Sequence, residues 1–330
     1  MAEHKAGLKT AIKVFFVILG SQFLLFKLLA IKREPKSLHE KPNTIELIVV
    51  KTPKHMLEIT NQRDSYYNTS NYWAKKVKQS CSSHGLQQTN FSNEEIISFG
   101  LPGWVWMISP PHQLFYCAAP KCSSSTWKTY IMEDECRTWE GNVHVAATEI
   151  GLSTLAKEKK VERDYISFLE VYRPTNRLII VRNPWARLVS AYQDKIVKEN
   201  WSLKQICVEG GRFSEPKSAT FAMFAECVAT SDRKVMWNSH IHPFTSLCAI
   251  CHMDYNIIVR LEDMEVAESF ILDQLKFKHH PKYQPPAKGM FSNTYSEFYS
   301  NLPEETISLL ADIYKDDINL FGYPPTPFEW

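Results

Sequence analysis

The stretch Leu114-Phe115-Tyr116-Cys117-Ala118 is apolar and ends at Pro120; a polar loop, Lys121 to Thr126, then leads into helix-forming residues from Trp127 to Asp134. A short apolar run bounded by proline reads as a buried strand. Strand, short loop and helix in that order constrain the fold more than any other feature of the chain. The turn brings the backbone to a helix N-terminus, where unpaired N–H groups and the helix dipole both favour an anion. Lys121 adds a full positive charge, and Ser125 and Thr126 add hydroxyls. The pattern GxxxxGK[ST] is absent and the loop has no glycine, which argues against an ordinary nucleoside triphosphatase. The local alternative is a polar loop that only caps its helix, with Ser125 or Thr126 as N-cap.

Two more apolar runs extend the pattern. Leu178-Ile179-Ile180-Val181 is followed by Pro184 and a helical stretch from Ala186 to Lys198, and Tyr255 to Val259 by a helix from about Val266 to Leu275. Strands alternating with helices predict an α/β fold around a central parallel sheet. Pro303 to Leu320 reads as a terminal helix with Gly322 just past its end. Arg182 closes the second strand, where ligands of open α/β sheets bind. Its guanidinium is a bidentate fork for phosphate. Ser190 lies two turns into the helix that follows. Arg187 has the plainer alternative of pairing with Asp194 or another carboxylate.

The chain has 330 residues, is 44% hydrophobic and carries a formal net charge of only +2. That supports one sizeable core plus an extension and gives no global signal for nucleic acid. Val14 to Ile31 is apolar apart from Ser21, Gln22 and Lys27, with lysines on both sides. Its length fits a spanning helix, for which roughly 20 residues are usual and about 17 suffice; a cleaved signal peptide is the rival. The expected organisation is a cytoplasmic tail over 1–13, a transmembrane signal anchor over 14–31, a stem over 32–72 and a lumenal domain over 73–330. Asn68, Asn90 and Asn200 each begin an N-x-S/T triplet. Together with the anchor they point to a lumenal body, whose eight cysteines would then meet an oxidising compartment.

The order and spacing of these segments resemble the donor-binding motifs of the Golgi carbohydrate sulfotransferases, in the branch of the chondroitin and dermatan 4-sulfotransferases and the glucuronyl 3-sulfotransferase. The family's first motif reads roughly Y-C-x-x-P-K-V-A-C-T-N-W-K. Tyr116, Cys117, Pro120, Lys121, Ser125 in place of Thr, Trp127 and Lys128 fall in register. The second reads roughly V-R-D-P-F-x-R-L-V-S-A-Y-x-D-K, matched by Val181, Arg182, Pro184, Arg187 to Tyr192, Asp194 and Lys195. A third, H-W-x-P-x-x-x-L-C-x-x-C-x-x-x-Y-D, resembles His240, Pro243, Leu247, Cys248, Cys251 and Tyr255, and a closing F-G-Y matches Phe321 to Tyr323. Departures stand at Cys122, Ser124, Thr126, Asn183, Ile241 and Asn256.

The resemblance implies a P-loop nucleotide-kinase-like α/β domain behind one N-terminal transmembrane helix. It implies a sulfo transfer from 3′-phosphoadenosine-5′-phosphosulfate (PAPS) to a glycan or proteoglycan hydroxyl, the GalNAc 4-hydroxyl of chondroitin or dermatan being the finer expectation. The setting would be the Golgi membrane, single-pass type II, with no metal required and no nucleic-acid partner. Pro120, Lys121, Cys122, Ser123, Ser124, Ser125, Thr126, Trp127 and Lys128 would line the 5′-phosphosulfate, and Arg182 and Ser190 the 3′-phosphate. Lys121 and His240 are the catalytic candidates, His240 as general base, with Glu262 the carboxylate alternative. Two rival functions stay open: a different nucleotide-dependent transferase or kinase, and a catalytically silent lumenal glycan-binding protein. Cys248-Ala249-Ile250-Cys251-His252 matches a c-type haem signature, but disulfides fit an oxidising lumen better.

Overall fold

Leu178, Ile179, Ile180 and Val181 are each fully buried. They occupy β6 (Asn176–Val181), the strand flanked on both sides by parallel neighbours, β5 (Leu114–Cys117) and β7 (Ile257–Arg260). A strand covered on both faces needs an unbroken apolar run, which is what its sequence supplies. The chain is seen here in a computed structural model that describes residues 11–19, 22–30, 48–50, 54–83, 105–149, 173–206, 219–231, 238–279 and 295–328. Two compact units divide it, Met1–Gln62 and Arg63–Trp330.

The central sheet of the larger unit has the order β4-β5-β6-β7. It is mixed rather than parallel. β4 (Trp106–Ser109) runs antiparallel to β5 and is joined to it by a turn in which Gln113 N–H donates to Pro110 O. Pro110 and Pro111 end β4, and that interruption hides the hairpin from an apolar-run reading. The other strands and helices fall close to expectation. α2 (Ser124–Asp134) follows β5, α3 (Pro184–Ala191) follows β6, and α5 (Met264–Gln274) follows β7. Between α3 and α5 lies α4 (Phe221–Thr230), and α6 (Glu304–Phe321) closes the fold. Gly322 caps α6 with φ of +64°, and a Cβ there would meet the Trp73 ring at 2.9 Å, so the position needs glycine.

α1 (Lys54–Ser83) crosses the boundary expected near Trp73. It buries Tyr66, Ser70, Trp73, Val77 and Cys81, spaced by three or four residues along one helical face. This helix covers an otherwise open sheet edge. Ser70 Oγ accepts from Ile258 N–H at 3.1 Å and Tyr66 OH from Arg260 N–H at 3.3 Å, so alternate donors on the outer side of β7 are satisfied.

In the N-terminal unit, β1 (Ala11–Leu19) pairs antiparallel with β2 (Gln22–Ala30), which pairs with β3 (Ile48–Val50). The spanning helix expected over 14–31 is therefore replaced by two strands. Valine, isoleucine and phenylalanine are frequent in the run, residues that favour strands, and an apolar run has no periodicity to tell strand from helix. Among the described residues, no helix is long and apolar enough to cross a membrane.

Both cysteines of the C-x-x-C element are bonded, each to a distant partner: Cys248 to Cys117 at the end of β5, and Cys251 to Cys81 on α1. Cys227 is disulfide-bonded as well. The haem reading of this element has no free thiols to stand on. Closing so long a loop removes much of the unfolded chain's freedom, and losing a native disulfide costs about 2–5 kcal/mol. The double variant Cys117→Ser, Cys248→Ser is expected to melt well below the wild type in thermal unfolding followed by circular dichroism. An unchanged midpoint would show that the bond does not hold the β5 end in place.

Candidate active site

β5 delivers the chain to a loop that is strained at two points. Lys121 and Ser123 have φ of +68° and +56°, although neither is glycine. Left-handed backbone at non-glycine residues is costly and gathers at ligand sites. Alternation of this kind turns successive N–H groups into a concavity for anions. Ser123 is the N-cap of α2 and its side chain makes no capping bond. The capping alternative for Ser125 and Thr126 therefore fails: Ser125 Oγ instead meets His144 Nε2 at 2.9 Å.

Several elements converge on this loop. Arg182, at the end of β6 and only 8% exposed, donates from Nη1 to Lys121 O at 3.1 Å. Lys128, fully buried on α2, donates to His144 O at 3.3 Å. His144 sits in a helix over 143–149, its N–H held by Asn142 Oδ1 at 2.8 Å. Lys121 Nζ is ion-paired with Asp194. Arg187 does not pair with Asp194, against the simpler expectation. Its three guanidinium nitrogens donate to the carbonyls of Pro120, His242 and Ser239 at 3.1, 2.6 and 2.8 Å, so it ties the β5–α2 loop to the His240 segment. α6 secures that segment from the other side: Asp317 accepts from Phe244 and Thr245 N–H, and Tyr314 OH donates to Ile241 O.

A protein-family model described as "Sulfotransferase family" matches residues 104–324, from β4 through the end of α6. The chain belongs to the sulfotransferase family. It is similar to carbohydrate sulfotransferase 11 of Mus musculus, 26% identical over 246 residues, which cover 66% of this chain and 66% of that protein. It is also similar to carbohydrate sulfotransferase 14 of Danio rerio, at 26% over 255 residues, 68% and 67% of the two chains. With carbohydrate sulfotransferase 10 of Xenopus laevis it shares 25% over 320 residues, 87% of each chain. The chain thus spans about two thirds of the length of the first of these relatives, 66% by residue coverage. No solved structure matches it significantly.

The electrostatics of this candidate site follow from burial in a cluster of cations. Burial lowers the Lys121 pKa, and Asp194 offsets part of that shift. Burial alone brings Lys128 down to about 7. His144 is held down at about 4 by burial and by Lys128, Lys195 and Lys121, and His240 at about 3 by burial and by Lys121, Lys195 and Arg187. Both imidazoles therefore face the same lysines and are neutral at ordinary pH. An anionic ligand would raise both, because it stabilises the protonated ring.

Other expected residues are placed as follows. His240 Nδ1 meets Asn238 Oδ1 at 2.6 Å, and its ring packs edge-on against Trp201. Ser190 is half-buried on α3, and its hydroxyl has no hydrogen-bond partner among the described residues. Trp127 and Ser124 are buried, whereas Thr126 is half-buried. Cys122 is buried beneath the loop, and burial pushes its thiol up to about 12, so it stays protonated and inert. Asn183 caps α3 by accepting from Trp185 N–H, while its amide donates to Tyr295 OH. An aspartate at this position could keep the contact only by accepting from Tyr295 OH instead. Glu262 accepts from Asn183 N–H at 2.7 Å and Tyr323 OH at 3.1 Å. It anchors the strand-end turn rather than waiting as a free base. Among the described residues, no cluster of His, Cys, Asp and Glu could hold a metal ion. His144 is the site residue that sequence reasoning misses, because a single histidine outside any quoted motif carries no spacing signal.

Proposed function

We propose that the protein transfers a sulfo group from PAPS to a hydroxyl of a glycan. One observation carries this reading: Lys121, Ser125, Lys128, Arg182 and His144 meet around a single strained loop between β5 and α2. In this reading Lys121 and the loop N–H groups hold the 5′-phosphosulfate, and Arg182 with Ser190 holds the 3′-phosphate. The acceptor oxygen attacks sulfur in line as the sulfur–oxygen bond to the phosphate breaks. Lys121 and Lys128 offset charge gathering on the leaving phosphate, and an imidazole takes the acceptor proton. A carbohydrate acceptor is supported by the names of the similar proteins. Chondroitin or dermatan GalNAc 4-sulfation is the finer proposal and rests on the motif resemblance.

A lumenal Golgi setting belongs to the same proposal. The disulfides Cys81–Cys251 and Cys117–Cys248 support an oxidising compartment. Asn68 and Asn200, which head two of the triplets, are exposed. Labelled PAPS assayed against a glycan panel tests the reaction, and lack of transfer to every acceptor would favour the silent glycan-binding alternative. Arg182→Ala is expected to weaken PAPS binding by about 10- to 100-fold, the loss of one charge-assisted contact of about 1.5–3 kcal/mol. Equal donor affinity in wild type and the folded variant would remove Arg182 from the 3′-phosphate role.

A further inference from the structure

α3 does not simply continue past Ala191. It widens into a π-helical turn, Tyr192–Lys198, a geometry often found at functional sites. This turn carries Asp194 and Lys195 to the phosphate loop. Lys195 Nζ lies 3.3 Å from Asp194 Oδ2, reaches Glu199 Oε1 at 2.8 Å and sits over the Trp201 ring. Lys195 thus has a second carboxylate and an indole, while Lys121 has Asp194 as its carboxylate partner. The Lys121 and Asp194 side chains are 14% and 27% exposed, so their attraction is only partly screened. A lysine ammonium is a compact point charge on a flexible stem. It can turn from a carboxylate to a phosphate without moving the backbone.

We propose that Asp194 is a positioning residue that holds Lys121 between turnovers and competes with nucleotide for it, thereby setting nucleotide affinity and easing product release. The inference rests on the donor reading given above. Binding of the 5′-phosphosulfate draws Lys121 off Asp194. After transfer the product keeps a 5′-phosphate, which grips the same ammonium. A carboxylate waiting within reach gives Lys121 a partner to return to and lowers the barrier to release, a step that often limits turnover. Burial lowers the Lys121 pKa and Asp194 opposes that shift, so the pair favours the charged lysine.

The test is isothermal titration of adenosine 3′,5′-bisphosphate into wild type, Asp194→Asn, Lys121→Ala and the double variant. Asp194→Asn is expected to bind about fivefold more tightly, the scale of one partly exposed ion pair. The gain should vanish in the Lys121→Ala background, because Asp194 acts through that lysine. In the sulfation assay the same variant should show a lower donor KM and stronger inhibition by the bisphosphate. Unchanged or weaker binding by Asp194→Asn overturns the proposal, as does an equal gain without Lys121, which would reflect the general field of the site. Should Asp194→Asn fail to fold, Asp194→Ala is read in the same way; failure of both makes Asp194 part of the scaffold and overturns the proposal. A wild type that does not bind the bisphosphate overturns the donor reading itself, and this proposal with it.

Discussion

Lys121→Ala is expected to lower turnover about 100- to 1,000-fold, the usual loss when one preorganised donor is removed from developing charge. Donor affinity should fall much less. The distinction follows from where the lysine sits. Its backbone is fixed by the left-handed turn and by Arg182, which donates to Lys121 O, so the loop keeps its shape without the side chain. Ground-state contacts from the loop N–H groups, Ser125 and Arg182 survive. What disappears is a charge held close to the bond that breaks, and its value is greatest in the transition state. Steady-state kinetics on the variant, with donor affinity measured separately, checks this. A loss confined to KM would place Lys121 in uniform donor binding. Lys121→Arg is a useful control, since a planar guanidinium keeps the charge but changes its geometry.

The parts of the site that are legible in the sequence are those set by local chain geometry. A strand ending at Pro120 and a helix beginning near Ser124 are enough to place Lys121 and Ser125 at an anion-binding turn. An apolar run ending in Arg182 does the same for the second motif. The parts that are not legible depend on contacts between distant segments. His144 reaches Ser125 because the helix over 143–149 folds back onto α2, and nothing within a few residues of His144 announces it. By sequence, Arg187 is free to pair with Asp194, its neighbour two helical turns on. Burial among three carbonyls leaves it no such freedom, and Asp194 goes to Lys121 instead. Glu262 is available as a base by the same local logic, yet the fold commits it to Asn183 and Tyr323. β4 and α1 are hidden by composition: prolines end one strand, and the polar residues of 54–83 mask a buried face that includes Ser70.

His144→Ala is expected to lower turnover about 100- to 10,000-fold, the contribution typical of a general base, and by markedly more than His240→Ala. The acceptor hydroxyl must lie on the side of the sulfo group opposite the leaving phosphate, within hydrogen-bond reach of its base. Ser125 belongs to the loop that would hold the phosphosulfate, and His144 Nε2 is already hydrogen-bonded to it. His240 sits near Lys121 but commits Nδ1 to Asn238 and packs its ring on Trp201, contacts that fix the ring in place. With a pKa held at about 4, His144 is a weak base until nucleotide binds. Burial aside, the depression comes from Lys128, Lys195 and Lys121, and bound nucleotide neutralises their field. The sign is therefore fixed: nucleotide raises the His144 pKa toward the range useful for catalysis, and acceptor-side kcat/KM falls as pH drops through that raised value. Histidine NMR titration with and without adenosine 3′,5′-bisphosphate reads the shift directly, and turnover of the two alanine variants at matched donor affinity reads the role. A His144 resonance that titrates unchanged in the presence of nucleotide, or a larger turnover loss in His240→Ala, would return the base to His240.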